Sequence, residues 1–462
     1  MPFFERFVTK RTMIPRGIIG PKTLSHVWLQ QGFAVLMCGT NEQDLAALMS
    51  AWACSDIEIG FTGLSVVASS GRNGDRMVKK ALKIIGCALG ALALVVVAYI
   101  IYVMATYYRL DDNLTLATDQ PENGQVEMKI QLIGAGSTSS SDQTTASDSS
   151  GSFDQIFTIV SANLGFGAYG PDFDFFMDGG TGSVASSAQY AIDNVNGSAD
   201  AIRQLDPDFV LFQEVDIDAT RSCGVDEYAL LRKDYPEMCS VFAQNYDSAF
   251  LAWPLYAPHG KNKAGMATFA RYQLDDSIRR SLPISESFSK FLDLDRCYSV
   301  SRVQVSNGKQ LVIFNVHLSA YGADEKVLEG QRAMLFEDMR SERAAGNYVI
   351  AGGDFNHDMI GISNEVYRNV TDVEASWAKP FDFASVPDGF TVAPKAELDA
   401  GTFDSAATCR DAGRPYDGTN DRWVMDAFIY SDNITCIDQR TLDLDFMYSD
   451  HNPVCLRFSL EE

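Results

Sequence analysis

The stretch Gly352-Gly353-Asp354-Phe355-Asn356-His357-Asp358 sets a carboxylate and a carboxamide two residues apart. It follows Asn347-Tyr348-Val349-Ile350-Ala351, a β-branched and aromatic run of the kind that forms a buried strand. The two glycines are expected to end that strand and let the backbone turn. In extended chain a spacing of two points side chains the same way, so Asp354 and Asn356 are placed to hold a water, a metal ion or a phosphate oxygen. Taken alone, an Asp/Asn-rich turn explains the same residues. The ends of other strand-like runs tip the balance towards chemistry. Residues 156–160 lead into Asn163, 209–212 end at Gln213-Glu214, 311–316 end at His317, and Asp450-His451 precede a last run at 454–458. Five polar strand ends in one register are hard to ascribe to surface decoration.

The elements that must position these residues alternate along the chain. Residues 187–205 have near-helical apolar spacing (Ala191, Ile192, Val195, Ala199, Ile202, Leu205) and stop at Asp206-Pro207-Asp208. A second helix is expected over 330–345, and further strands over 265–270, 299–305 and 424–430. This part of the chain, 153–462, reads as one catalytic domain.

What precedes it differs in character. Residues 1–76 show no sustained period and no chemical motif; they stay unassigned, and Met77 is one candidate for the natural start. Residues 77–110 read as a basic leader and a transmembrane helix. No charge interrupts 84–105, which is long enough to cross a bilayer. Arg72, Arg76, Lys79, Lys80 and Lys83 precede the run, and Asp111 and Asp112 follow it, which places the N-terminus in the cytoplasm and the rest outside the cell. A buried core helix and a cleaved signal peptide with Val103-Met104-Ala105 as its processing site are the alternatives. Residues 111–152 read as a juxtamembrane segment, with a small strand or hairpin over 115–132 and a Ser/Thr/Gly/Asp-rich linker over 134–152 that lets the domain stand off the membrane.

Composition narrows the function classes. The chain of 462 residues is 46% hydrophobic and carries a net charge of −24. An acidic surface disfavours a stable complex with nucleic-acid backbone. It leaves a nuclease open, because a metal site supplies its own positive charge. Nine cysteines in this length are no dense disulfide framework. Outside the cell, Cys223 with Cys239, or Cys297, Cys409, Cys436 and Cys455, are available to pair. Oligomeric state is not legible.

Together the motifs Ser161-Ala162-Asn163-Leu164, Gln213-Glu214-Val215, Asn315-Val316-His317-Leu318, Gly353-Asp354-Phe355-Asn356, Trp423-Val424-Met425-Asp426 and Ser449-Asp450-His451-Asn452-Pro453-Val454 resemble the endonuclease/exonuclease/phosphatase superfamily with its DNase I-like fold. They come in the family's order and span nearly all of the chain after Phe153. The likeness is to membrane-anchored bacterial members. It implies an α/β (α+β) fold, a four-layer αββα sandwich with the site at one end of two packed sheets, here preceded by one transmembrane helix.

The resemblance also implies roles. Glu214, with Asn163 and Asp450, would hold Mg²⁺ or Mn²⁺, for which hard oxygen donors are suited. Asp354 would orient or deprotonate the attacking water, and Asn356 would hold water or phosphate. His317 and His451 would flank the phosphate, with Asp426 raising the basicity of His451. A histidine at position 317 is similar to the DNase I-like, sphingomyelinase-like and inositol-phosphatase-like branches rather than the exonuclease III-like repair branch. Lys263, Arg302 and Tyr246 are candidate substrate contacts. The aromatic loop of Phe166, Tyr169, Phe173, Phe175 and Phe176 either lines a pocket, touches lipid or folds over its own cluster. His259 and His357 match no catalytic position. The expectation is a membrane-anchored, extracytoplasmic, divalent-metal-dependent phosphoesterase acting on a phosphodiester, a phospholipid headgroup or nucleic acid. A phosphomonoesterase on a small phosphorylated molecule and a non-catalytic surface binding protein are the alternatives.

Overall fold

The structure, a computed structural model, describes residues 72–132, 155–320, 324–371 and 377–461. The expected linker over 134–152 and most of the unassigned segment 1–76 lie outside the described residues. The helices are α1 (Arg72–Thr106), α2 (Ala188–Arg203), α3 (Glu227–Asp234), α4 (Glu325–Ala344), α5 (Ser363–Tyr367) and α6 (Ala393–Ala400). The strands in chain order are β1 (Leu114–Thr115), β2 (Thr118–Asp119), β3 (Phe157–Asn163), β4 (Phe209–Asp216), β5 (Cys239–Asp247), β6 (Lys263–Ala270), β7 (Asp275–Ser281) and β8 (Cys297–Gln304). They continue as β9 (Gln310–His317), β10 (Tyr348–Asp354), β11 (Phe390–Val392), β12 (Cys409–Arg410), β13 (Arg422–Trp423), β14 (Asp426–Ser431), β15 (Ile434–Thr441) and β16 (Val454–Leu460).

Two seven-stranded mixed sheets form, in spatial order β1-β7-β8-β9-β10-β14-β11 and β15-β16-β3-β4-β6-β5-β2. Strands buried on both faces read as continuous apolar runs, which is why 209–212 and 311–316 show no alternation. Their inner faces meet in one core: Ile159, Phe209 and Leu211 of one sheet pack with Ile313, Ile350 and Phe428 of the other. The outer faces are covered by helices. Leu335 and Met339 of α4 close over Val312 and Val349, and Val195, Ala199 and Ile202 of α2 with Leu231 of α3 close over Val160 and Val210. Ser187 caps α2 by accepting from the Tyr190 N–H, the ordinary use of serine before a helix. The result is the four-layer sandwich.

Parallel pairing decides where the chemistry goes. β3 lies parallel to β4, and β9 to β10, with Asp354 directly opposite His317. Both pairs therefore end at one edge of the sandwich. β14 runs antiparallel to β10 and brings Asp426 opposite Asp354. β16 runs antiparallel to β3, with Val454 opposite Ser161, so the residues just before it reach Asn163. Below this edge a buried amide bridge joins the sheets: Gln213 Nε2 donates to Asn315 Oδ1 at 2.8 Å, and Asn315 Nδ2 donates to the Ala267 carbonyl at 3.0 Å.

Three expectations change. Gly352 and Gly353 do not end their strand; they lie inside β10. Their need is for close approach: a Cβ on Gly352 would strike the Phe428 ring, and one on Gly353, at φ 144°, would fall on the Val316 carbonyl. The segment 115–132 makes no hairpin of its own. β1 pairs with β7 and β2 with β5, and Ile130 bridges to Val305, so this segment closes the edges of both sheets. The cysteines considered for pairing are free thiols. Cys239, Cys297, Cys409 and Cys455 are buried in four separate apolar clusters.

α1 is a continuous helix, and Lys79–Thr106 within it is long and apolar enough to cross a membrane, with its apolar window unburied.

Candidate active site

Asn163 is the hinge of the site. Its Nδ2 donates to Glu214 Oε1 at 3.2 Å and to Asp354 Oδ2 at 3.0 Å, and its Oδ1 accepts from the Gly165 N–H at 3.0 Å. One carboxamide thus draws two carboxylates from different sheets together. Glu214 reaches it from an irregular position. The β4–β6 register shifts between Phe212 and Val215, and Glu214 sits at φ 53°. A bulge re-aims a side chain out of the ladder, and a left-handed glutamate is held only where its surroundings impose it.

Asp354 occupies the centre. Oδ2 lies 3.7 Å from His317 Nε2 and 3.8 Å from His451 Nε2, while Oδ1 accepts from the Asn356 N–H at 2.8 Å. Asn356 has left the strand (φ 52°), and its Nδ2 donates to the Leu318 carbonyl at 2.9 Å. The Asp-x-Asn spacing therefore builds an Asx turn that fixes Asp354, in place of two side chains on one face. Burial pushes the Asp354 carboxyl up to about 6; the charge on His451 opposes this and Asp426 adds to it.

The two histidines are driven apart in protonation. His451 Nδ1 donates to Asp426 Oδ2 at 2.7 Å. Burial disfavours its charge, but Asp426, Cys409 and Asp354 outweigh burial and hold the imidazole well above its usual range, as a cation. His317 is held well below that range by burial, then by Arg296, His451 and Arg221, and stands as a neutral imidazole. Its Nε2 is also 4.0 Å from Glu214 Oε1. A pair of titratable groups pushed in opposite directions is the mark of an acid–base assignment.

Asp450 adjoins this group. The Ser449 hydroxyl donates to the Asn163 carbonyl at 2.9 Å and lies 3.3 Å from Asp450 Oδ1. Burial raises the Asp450 carboxyl; His451 and Arg410 lower it, and Glu214 raises it again. Arg410 does not neutralise it by contact, because its Nη2 is spent on the carbonyls of Tyr169 and Gly170. Glu214, Asn163 and Asp450 thus offer hard oxygens at a place with an excess of negative charge, and this donor set fits a divalent cation. Asp354, Asp426 and His451 also bring ligand atoms within 4.8 Å of one another; of these groups, His451 Nδ1 and Asp426 Oδ2 are already engaged with each other.

The candidate substrate contacts separate. Arg302 stands opposite Val312, five residues along β9 from His317 and so about 16 Å away. Its guanidinium is spent on Glu342 and the Asp276 carbonyl. Tyr246 is buried, donates to the Leu292 carbonyl, and its ring lies 5.4 Å from the Arg221 guanidinium; it packs a support and is not open to a ligand. Lys263 opens β6 at the site end of its sheet, 3.9 Å from Asp247.

Two arginines carried no sequence motif. Arg221 grips Asp216 through Nε and Nη2 and covers the Phe166 ring at 4.1 Å, next to Glu214. Arg296 directly precedes β8. With Tyr298 opposite Val316, it reaches the same sheet end as His317. Arg296 Nη1 and His317 Nδ1 are both buried without a hydrogen-bond partner among the described residues. Two unsatisfied polar nitrogens at one sheet end are costly unless an anion or water meets them. The available signal was the strand at 299–305, which begins two residues earlier, at Cys297.

The sequence model of the Endonuclease/Exonuclease/phosphatase family matches residues 194–451. That span holds every residue described above except Asn163 and its loop. No curated protein sequence matches the chain. Among solved structures, the endonuclease/exonuclease/phosphatase from Beutenbergia cavernae is similar at 18% identity, over 66% of this chain and 72% of that one, with a TM-score of 0.45. A humanized D. rerio TDP2 with 14 mutations is similar at 14% identity, over 66% and 99%, with a TM-score of 0.41. The human Nocturnin catalytic domain with bound sulfate anion is similar at 18% identity, over 66% and 93%, with a TM-score of 0.41.

Proposed function

The chain belongs to the endonuclease/exonuclease/phosphatase family, and from that premise we propose that it hydrolyses a phosphodiester by in-line attack of water with the help of Mg²⁺ or Mn²⁺. The observation that carries the reading is Asp354 set between a neutral His317 and a cationic His451, at 3.7 and 3.8 Å.

Glu214, Asn163 and Asp450 would hold the cation, which when bound neutralises charge on the phosphate and leaving oxygens. The chain's own residues do the rest. Asp354 is locked by the Asn163 amide on Oδ2 and the Asn356 N–H on Oδ1, which fixes the direction of its remaining lone pairs. It takes a proton from the attacking water as the new P–O bond forms. His451, kept charged by Asp426, faces the phosphate and gives a proton to the leaving oxygen as the old P–O bond breaks. Neutral His317 and the Arg296 guanidinium hold the non-bridging oxygens. Positioning and charge neutralisation carry most of phosphoryl transfer, and each of these contacts supplies one or the other.

We read α1 as a retained anchor with the catalytic domain outside the cell. Supporting this are its length and apolar character, the basic residues Arg76, Lys79, Lys80 and Lys83 before the apolar run, and Asp111 and Asp112 after it.

The test is turnover by the full chain of bis(p-nitrophenyl) phosphate and p-nitrophenyl phosphate, each with Mg²⁺, Mn²⁺ or EDTA. Metal-dependent preference for the diester is expected. Preference for the monoester would move the reading to a phosphomonoesterase, and no turnover of either by folded protein would remove the enzymatic reading.

A further inference from the structure

The hairpin between β5 and β6 carries ten consecutive residues without a charge, Ala249-Phe250-Leu251-Ala252-Trp253-Pro254-Leu255-Tyr256-Ala257-Pro258. A surface loop tip in water is ordinarily polar. Here Leu255 is 68% exposed, Tyr256 64% and Phe250 43%. Beside the tip, on the aromatic loop, Met177 is 70% exposed. The two loops are fixed to each other: the Tyr256 hydroxyl donates to the Thr181 carbonyl at 2.7 Å, and the Ser183 hydroxyl donates to the Ala257 carbonyl. Behind them Phe175 and Phe176 pack on His259 at 6.1 and 5.8 Å. The exposed apolar side chains thus stand on a built platform.

α1 is joined to the same hairpin. The Tyr99 hydroxyl donates to the Phe250 carbonyl at 3.0 Å and accepts from the Ala252 N–H at 3.1 Å; the Tyr102 hydroxyl accepts from the Phe250 N–H at 3.2 Å. Lys83 is the last charge before the apolar run. From it, Tyr99 lies about 24 Å along the helix and Tyr102 about 29 Å, against a hydrocarbon core of about 30 Å. That is the depth at which interfacial tyrosines sit, so the tip is carried to the headgroup boundary.

The site faces the same way. Asp216 is opposite Ala264 and Asp247 opposite Lys263, so the hairpin leaves its sheet at the end that bears Glu214. Tyr107, at the exit of α1, donates to Asp295 Oδ1 at 2.9 Å, one residue before Arg296 and at the end that bears His317.

We propose that the hairpin tip and the Met177 loop form a bilayer-contacting surface that seats the mouth of the site on the leaflet from which α1 emerges. The occupant is lipid: the patch is continuous with a helix apolar enough to span the bilayer, and amphipathic tyrosine and aliphatic side chains suit the headgroup–acyl boundary. The substrate that follows is a phosphodiester in a lipid headgroup of that leaflet. This second half rests on the phosphoesterase reading; the lipid contact does not.

The experiment uses the full chain in phosphatidylcholine nanodiscs with acyl chains brominated or plain. Fluorescence added by Leu255→Trp or Met177→Trp is expected to be quenched by the brominated lipid, and that added by Ile156→Trp, an exposed position just before β3 at the end away from Asn163, is not. Equal, absent quenching at all three positions would overturn the lipid surface, including the case in which a protein partner covers the patch. The substrate half is read separately. A Leu255→Asp, Met177→Asp double variant should lose about ten-fold or more of its turnover of bilayer phospholipid while turnover of bis(p-nitrophenyl) phosphate stays unchanged. Unchanged turnover of both would overturn it. Absence of any turnover by the parent chain would sink the phosphoesterase reading and leave the quenching result to decide the surface.

Discussion

His451 Nδ1 donates to Asp426 Oδ2 at 2.7 Å, while its Nε2 faces Asp354 at 3.8 Å. The imidazole is thus clamped by one anion and aimed past another. Asp426→Asn removes the charge that keeps His451 protonated. The raised imidazole then falls towards its ordinary range, and activity should fail from the alkaline side at a lower pH than in the parent chain. At the optimum kcat should drop about 10²- to 10⁴-fold, the usual scale for losing a general acid. A pH–rate profile of both proteins checks the direction and the size.

Arg296 and Arg302 are six residues apart, yet only the first reaches the site end. Arg296→Ala should lower kcat/KM about 10- to 100-fold, the scale of one charge-assisted contact to phosphate. Arg302→Ala, whose partners are Glu342 and a carbonyl, should leave kcat/KM within about two-fold and cost only stability. Steady-state kinetics on a soluble diester separates them.

Gly353→Ala should destabilise the fold by about 3 kcal/mol or more, because the new methyl meets the Val316 carbonyl at a φ of 144°. Urea unfolding followed by far-ultraviolet circular dichroism measures the loss.

His259 supplies a pH dependence of stability. Burial, with Arg221 nearby, lowers it to about 3, against a bond to the Ser183 carbonyl. In the unfolded chain it protonates below about 6.5. Between these values the unfolded state binds the extra proton, so its stabilising contribution is complete above about 6.5 and is lost as pH falls towards 3. The slope from this residue alone approaches about 1.4 kcal/mol per pH unit. His259→Phe should flatten the stability–pH curve by that amount in urea titrations run from neutral to acid pH, whatever its effect on the level.

The core of the site was legible because it is written as strand endings. Asn163, Glu214, His317, Asp354 and Asp450 each follow or precede an apolar run; two parallel strand pairs carry the first four to one edge, and β16, antiparallel to β3, brings Asp450 there. Asp426 came from the family resemblance alone; the expected strand over 424–430 placed it inside the run, and it stands at the head of β14. What local pattern cannot give is the destination of a long side chain. Arg302 and Arg296 look alike in sequence, and only the β8–β9 register places one of them by His317. Tyr246 failed for a related reason: the β5–β6 register shifts between Gln244 and Tyr246, which breaks the alternation and buries the ring by Arg221. The glycines were misread because a turn and a close approach ask for the same residue, and the clash with Val316 is a contact 37 residues away in sequence. The edge strands β1 and β2 are two residues each, too short to leave a period.

The most direct measurement is the rate of bis(p-nitrophenyl) phosphate hydrolysis by the full chain with Mg²⁺, beside Asp354→Asn and beside EDTA. Hydrolysis that needs the metal and falls about 10³-fold or more in Asp354→Asn is the predicted result. Equal rates for the parent chain and Asp354→Asn, or a rate that EDTA leaves intact, would contradict the account.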